Sequence, residues 1–559
     1  MPSHDHGGAD TTTIRGPIIR TRTFRAAALF TLWISAGLSG CGGSGGDAPA
    51  DLPLAVSTGE RAAPSYSDTT AWPPAVEADA HNGCDTERVV GSRTTYDVGV
   101  GKPYAELSDI PWTQMQAGDV VNVFYRPTPY AAKIGLRVQG TAEAPFQIHG
   151  VSDPVTCAKP VLTGQGARPS ADQVASQFGA PIETLGLINI WKGAADAWDT
   201  YRASWIIIDN LRITQVGAGH QFQALDGSTQ SYNAFSAAIY AVRVDHLHVR
   251  DCEIDHSAMA VFTNSRGQSS GDFSSDVRLI RNHFHDNGHV GSDTIHNVYV
   301  QARRALYEGN RIEQLRVGAG GSTLKDRSSA TVVRFNRIVS NARAIDLVET
   351  EEEYVANVQT DPLYPHAWVY GNLIVNDFDN PNGASVNMVH FGADNNPAKA
   401  RNGTLYFFGN TVVESGPQSK AWYAHVFQVR APASGTPGRV EAWNNIFANL
   451  GTVEFRFMGD TGTLALMGTN SAPPNWVEVY PGNAGTVNTS GGTLLLQANP
   501  GLASDYTLTT GSAAKGAAQV HTPTYPSGVT ADHLRLNAQF KSPFGVTPRA
   551  TALNLGAFE

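Results

Sequence analysis

The sequence predicts an all-β solenoid, a coil of three short strands per turn with each turn laid on the last, and three observations carry that prediction. The first is a loose repeat through the middle of the chain. "VDHLHVRDCEID", "DVRLIRNHFHDN", "RALYEGNRIEQ", "TVVRFNRIVSN", "AWVYGNLIVN", "TLYFFGNTVV" and "VEAWNNIFAN" each hold a short apolar strand, then Asn, one residue and another apolar position. The Asn positions are read as Asn282, Asn310, Asn336, Asn372, Asn410 and Asn444, with Cys252 in the slot of the earliest copy. The second is composition: 56 glycines and only 16% charged residues leave few windows for amphipathic helices, which need apolar residues at 3.6 spacing. The third is a further strand ahead of each repeat, so that the strands fall into columns. A repeat of this size signals a solenoid or a propeller; the uneven spacing and the lack of a four-strand blade unit count against the propeller.

Taken in order, residues 1–40 read as an export signal. Arg15, Arg20, Arg22 and Arg25 precede the apolar run "AAALFTLWISAGLSG", which is too short and too rich in small residues at its end for a stable membrane span. "LSGC", Leu38 to Cys41, resembles the lipobox of bacterial lipoproteins. That resemblance implies lipidation of Cys41, and Gly42 after it implies sorting to an outer membrane; an ordinary secretory signal cut nearby is the alternative. Residues 41–71, beginning around "GGSGGDAPADLP", read as a flexible tether. Residues 72–107 are expected to cap the coil, 108–518 to form it, and 519–559 to close it, since a solenoid end exposes apolar ladders.

An Asn at a tight turn can sit inside such a coil and bond the backbone of neighbouring turns. This pattern resembles the right-handed, single-stranded parallel β-helix of pectate lyases and related exported enzymes, from about Tyr104 to Ala518. "AGDVV" and "GTAEAPFQIHG" resemble its opening coils, and "GLASDYTLTTGSAAKGAA" with "LNLGAFE" its last. With Cys41 lipidated, and Cys252 in an Asn slot and hence buried, the resemblance leaves Cys84 and Cys157 to pair; export permits a disulfide.

The column ahead of the repeats is where chemistry is expected. On "AMAVFTNS", "IHNVYVQARR", "STLKDRS", "AIDLVETEEE", "VNMVHFGAD" and "HVFQVRA", alternate side chains face opposite sides. With Val298, Val300, Leu324, Ile345, Leu347, Val389, Phe391, Phe427 and Val429 inward, the outward set contains Tyr299, Gln301, Lys325, Arg327, Asp346, His390, Gln428 and Arg430. The β-helix class commonly degrades acidic polysaccharides, and removal of a uronate C5 proton needs a cation on the carboxylate, a base and an acid. Lys325 is the expected base, Arg327 or Arg430 the carboxylate partner, and Tyr299 or His390 the acid. Asp326 is expected to orient them, and Asn297, Gln301, Asp346, Gln428 and Arg430 to touch substrate. Replacing Lys325 or Arg327 by Ala is then expected to remove activity and leave folding nearly intact. "LKDRSSATVVRFNRI" partly resembles the chondroitinase B and alginate lyase family. Counted back from Asn336, that family's catalytic Lys falls on Arg327, and its next Arg falls near Val348, so the resemblance extends to the fold and not to the mechanism.

The expected activity is therefore a surface-anchored polysaccharide lyase acting by β-elimination. A glycoside hydrolase on the same scaffold and a non-catalytic glycan-binding module are the alternatives. "GHG", "RIK" and "DD" motifs of polygalacturonase-like enzymes are absent, as is the "DPHD" of alginate epimerases. No cofactor is expected. Calcium at Glu349, Glu351, Glu352 and Glu353 is a sharper alternative to a solvated loop, and His283, His285 and His289 in "NHFHDNGH" read as a turn with solvated imidazoles. The formal net charge of −10 argues against nucleic-acid binding. The partners expected are an acidic polysaccharide and a membrane reached through the lipid alone, and the chain is expected to be a monomer.

Overall fold

A computed structural model describes residues 59–559, apart from 67–69, 79–80, 170–182, 192–200, 218, 266–272, 342, 352–357, 378–385, 418–422 and 480–482. The export signal, Cys41, most of the tether, and Glu352 and Glu353 lie outside the described residues.

One turn of the coil shows the rule. Ser322–Asp326 lies on the first face, Thr331–Arg334 on the second and Arg337–Ser340 on the third. Arg343–Leu347 then returns to the first face and pairs parallel with Ser322–Asp326. Repetition gives a 12-stranded sheet on the first face, called the wall here, and a 23-stranded sheet that takes in the other two. Both run parallel throughout; among the described residues, antiparallel strand pairs occur only in two hairpins outside them, Gln221–Gln223 with Thr229–Ser231 and Ala538–Phe540 with Val546–Pro548. The chain is a parallel β-helix.

Because the turns are in register, like positions stack. Val249, Leu279, Tyr307, Val333, Val369, Phe407, Ala442 and Leu466 form one continuous interior ladder, nearly all of it sealed from solvent. Burial of such ladders supplies the main driving force, about 25 cal/mol per Å² of apolar surface.

The second-to-third corner is set by asparagine. The preceding residue is left-handed, as at Arg281 (φ 55°), Gly309 (64°), Phe335 (55°), Gly371 (66°) and Gly409 (58°). Each Asn backbone N–H then donates to the Oδ1 of the next: Asn282 to Asn310 at 2.9 Å, Asn310 to Asn336 at 2.9 Å, Asn336 to Asn372 at 3.0 Å, Asn372 to Asn410 at 3.0 Å. The Nδ2 groups donate back to carbonyls of the preceding turn, for example Asn336 to Tyr307 O at 2.9 Å. The ladder goes on through Asn445 and Asn470, not Asn444. In "WNN" the first Asn takes the left-handed position (φ 56°), which Gly fills in other turns, and its side chain bonds Gln519. Cys252 is buried and unpaired, and its N–H feeds the ladder at Asn282. Cys84 and Cys157 are joined by a disulfide.

The first coils are plugged by two single-turn 3-10 helices, Leu107–Asp109 and Trp112–Gln114, whose Leu107 and Trp112 are buried in the main core. Trp72 lies instead on the flank, its Nε1 donating to Ala330 O at 2.8 Å. The outer side of the second face carries stacked rings, Tyr370 on Phe408 at 4.7 Å and Phe408 on Trp443 at 4.4 Å. Trp72, Leu534, Leu536 and Ala538 cover them, while Leu555, Ala557 and Phe558 cover Val413 and Ile446 on the third face. Bare aromatic ladders would otherwise meet water, so segment 519–559 coats the flank. Arg334 clasps the coat: it pairs with Glu308 at 2.6 Å, donates to Tyr370 Oη at 3.1 Å, to Pro74 O at 2.8 Å and to His533 O at 3.2 Å.

Asn336→Ala, which strands buried backbone and amide groups of three successive turns, is expected to cost about 3 kcal/mol, read as a lower urea midpoint than wild type.

Candidate active site

The wall register makes one outward column: Tyr240, Phe262, Tyr299, Lys325, Asp346, His390 and Gln428, each beside the next. Neighbouring strands stand about 4.8 Å apart, so Tyr299 to His390 spans three steps. Beyond the wall strands, Glu349, Glu351 and Asp394 stand against Tyr299, Lys325 and Arg327.

Asp346 is the hub. Its Oδ2 accepts Lys325 Nζ at 2.7 Å and Ser322 Oγ at 3.0 Å, and its Oδ1 meets His390 Nδ1 at 2.7 Å. Burial alone would raise its carboxyl, but Lys325 and His390 outweigh burial and hold it well below the usual carboxylate range. Lys325, only 1% exposed, also donates to Asp394 Oδ2 at 2.6 Å. Asp394 is held low in the same way, Lys325 overcoming its partial burial. Lys325 is thus held between two carboxylates.

Arg327 Nε donates to the Tyr299 hydroxyl at 2.8 Å and lies 3.0 Å from Glu351; its Nη2 lies 3.3 Å from Asp394. Tyr299 in turn donates to Glu351. Burial pushes the phenol up, Arg327 opposes and Glu351 adds to the rise. Tyr299 therefore keeps its proton, which is directed at Glu351. Below it His296, which the sequence reading passed over, packs edge-on at 5.3 Å. Burial first, then Lys325, keeps its imidazole neutral. His390 Nε2 is buried and has no hydrogen-bond partner among the described residues.

Glu349 is a loop anchor. Its oxygens accept the backbone N–H groups of Asp394, Asn395 and Asn396 at 2.6, 2.7 and 2.6 Å, and Glu351 is engaged by Arg327 and Tyr299. The expected calcium cluster is not assembled by these two residues. Asp394 and Asn395 were legible only as the turn that follows His390.

The remaining expected substrate contacts divide. Arg430 is exposed at the rim, with Nη1 on Asp394 O. Gln428 ends the column, bonded to Asp460 at 2.9 Å. Gln301 is buried and holds the loop by accepting Glu351 N at 3.0 Å. Two expectations are corrected. Asp326 follows the alternation inward, where Tyr307 Oη at 2.8 Å, Arg401 at 3.1 Å, Ser328 and Thr331 satisfy it. Asn297 precedes its strand at a corner that turns its amide inside, onto Phe284 O, Glu313 O and Asn287.

No family model matches the chain, and no curated protein sequence matches it. Among solved structures it is similar to an alginate lyase from Paenibacillus sp. str. FPU-7, at 15% identity over 72% of this chain and 99% of that one, with a TM-score of 0.31. It is similar also to pectate lyase Pel9A, at 9% identity over 84% and 97%, TM-score 0.37. A GH136 lacto-N-biosidase from Eubacterium ramulus aligns at 11% identity over 72% and 68%, TM-score 0.37.

Since Lys325 and Arg327 are buried in this ion-pair net, their loss is expected to reach stability, contrary to the reading from sequence. Asp346→Asn is expected to cost about 3 kcal/mol at neutral pH. The folded-state carboxyl of Asp346 titrates below its unfolded value, so its stabilisation is complete above about pH 4 and fades as pH falls further. The urea-midpoint gap between wild type and variant should narrow over that acid range.

Proposed function

We propose that the protein is an exported, lipid-anchored enzyme that cleaves a uronate-containing polysaccharide by β-elimination, with the wall as its active site. The observation that carries this reading is the Asp346–His390 pair in register with Tyr299: one group able to take a proton and one able to give it, on a single outward column. Asp346 orients the ring through Nδ1, and Nε2 is the nitrogen assigned to proton transfer. His390 takes the C5 proton, the C5–H electron pair becomes the C4=C5 double bond, and the C4–O pair leaves with the glycosidic oxygen. Tyr299 supplies the proton to that oxygen. Arg327 and Arg430, on either side of Asp394, face the uronate carboxylate and make the C5 proton more acidic.

Upstream on the same column, Tyr240 and Phe262 stack at 4.8 Å, and Phe262 meets Tyr299 edge-on at 5.3 Å. Both are half-buried, a platform suited to the apolar faces of sugar rings. A second reading, glycoside hydrolysis, is favoured by one feature: Glu351 and Asp394 both reach solvent, with side chains 44% and 25% exposed, and both flank Arg327. Such a carboxylate pair is what acid and base hydrolysis uses.

A panel of acidic polysaccharides, followed by ultraviolet absorbance of the unsaturated product, tests the proposal. Absorbance is expected with at least one uronate polymer. His390→Ala and Tyr299→Phe should each lower kcat/KM by about 100-fold or more, and Tyr299→Phe, which removes the hydroxyl that Arg327 and Glu351 share, should cost about 1–2 kcal/mol of stability, too little to account for the lost activity. Reducing ends released without absorbance, and lost in Glu351→Gln and Asp394→Asn, would transfer the site to a hydrolase. Binding with no product of either kind would make the wall a glycan-holding surface.

A further inference from the structure

On the outer side of the third face, Glu253–Asp255 lies beside His283–His285, with Glu253 opposite His283 and Asp255 opposite His285. The sequence reading placed these histidines in a solvated turn; they stand on a strand instead. His285 Nε2 lies 3.5 Å from Glu253 Oε1 and 3.8 Å from Asp255 Oδ2, and the donor atoms of the three residues all fall within 4.8 Å of one another. Nε2 is nonetheless buried without a hydrogen-bond partner among the described residues. Two donors sharing a tetrahedral ion at about 2.1 Å stand about 3.4 Å apart, close to the 3.5 Å between His285 Nε2 and Glu253 Oε1.

The surroundings are arranged to the same end. His285 Nδ1 meets the Asp286 carboxylate at 2.7 Å, the outer contact that commonly orients a metal-binding imidazole. The His283 ring stacks on His285 at 4.2 Å. Asp255 is fully buried, its Oδ1 bonded by Thr214 and by His256 Nδ1 at 2.9 Å. Arg212 lies 2.8 Å from Asp255 Oδ2 and 3.2 Å from Glu253 Oε1. It pairs with both carboxylates, so a cation bound there must displace it, and its side chain is 40% exposed.

We propose that Glu253, Asp255 and His285 bind a first-row divalent cation of the zinc type, at a site on the coil's third face separate from the wall. One imidazole with two carboxylates suits zinc; calcium takes oxygen donors alone.

The test uses the exported chain, stripped with chelator and titrated with zinc alone by calorimetry, together with cobalt as an optical probe. One zinc per chain is expected, with a melting temperature that rises with zinc and a visible cobalt band of tetrahedral intensity. Glu253→Gln and His285→Gln should each weaken zinc binding at least tenfold and abolish the band, and Arg212→Ala should tighten binding. If His285→Gln fails to fold, the part-exposed Glu253 still supplies the test. Absence of stoichiometric zinc in the wild type, or equal affinity in wild type and Glu253→Gln, would overturn the site.

Discussion

The asparagine ladder at the second corner is the constraint on which the rest of the molecule depends. Each Oδ1 accepts the backbone N–H of the turn before it, and each Nδ2 donates to the turn before it. A buried amide with all its groups satisfied tolerates no slip, and a one-residue slip would send every alternate side chain to the opposite side. The ladder thereby fixes the interior apolar columns and, one corner away, the order of the outward column on the wall.

The side-chain cluster on the wall follows from that order. Tyr299, Lys325, Asp346 and His390 belong to four turns scattered over more than 90 positions of sequence, yet they are lateral neighbours because each occupies the same rung position. Carboxylates outnumber cations within the cluster: Lys325 and Arg327 meet Asp346, Asp394, Glu351 and Glu349. Buried ion pairs of this kind contribute little net stability but are costly to break. In the proposed lyase they would hold the imidazole and the phenol in fixed orientation.

The coil was legible in the sequence because its repeat combines a local sign, Asn after an apolar strand, with a global one, recurrence. The outward column was legible from alternation alone. What escaped the sequence lay where alternation gives out. Asn297 sits at a corner, and the interior position of Asp326 is stabilised by Arg401, seventy-five residues away. Asp394 enters on a loop whose path is set by Glu349, with no periodic mark. In "WNN" two adjacent asparagines compete for one slot, and only the left-handed backbone of Asn444 separates their duties. The Glu253, Asp255 and His285 cluster is a cross-turn grouping that no linear spacing announces.

The Arg334 clasp has a mechanical consequence. Residues near both ends of the described chain, Pro74 and His533, are tied to one guanidinium midway along the coil, and Thr530 N adds a bond to Trp72 O. Tension drawn between the two ends would load that midpoint in shear before it could peel a terminal turn, so the flank coat acts as a girdle that shields the weakest edges of the coil from unravelling.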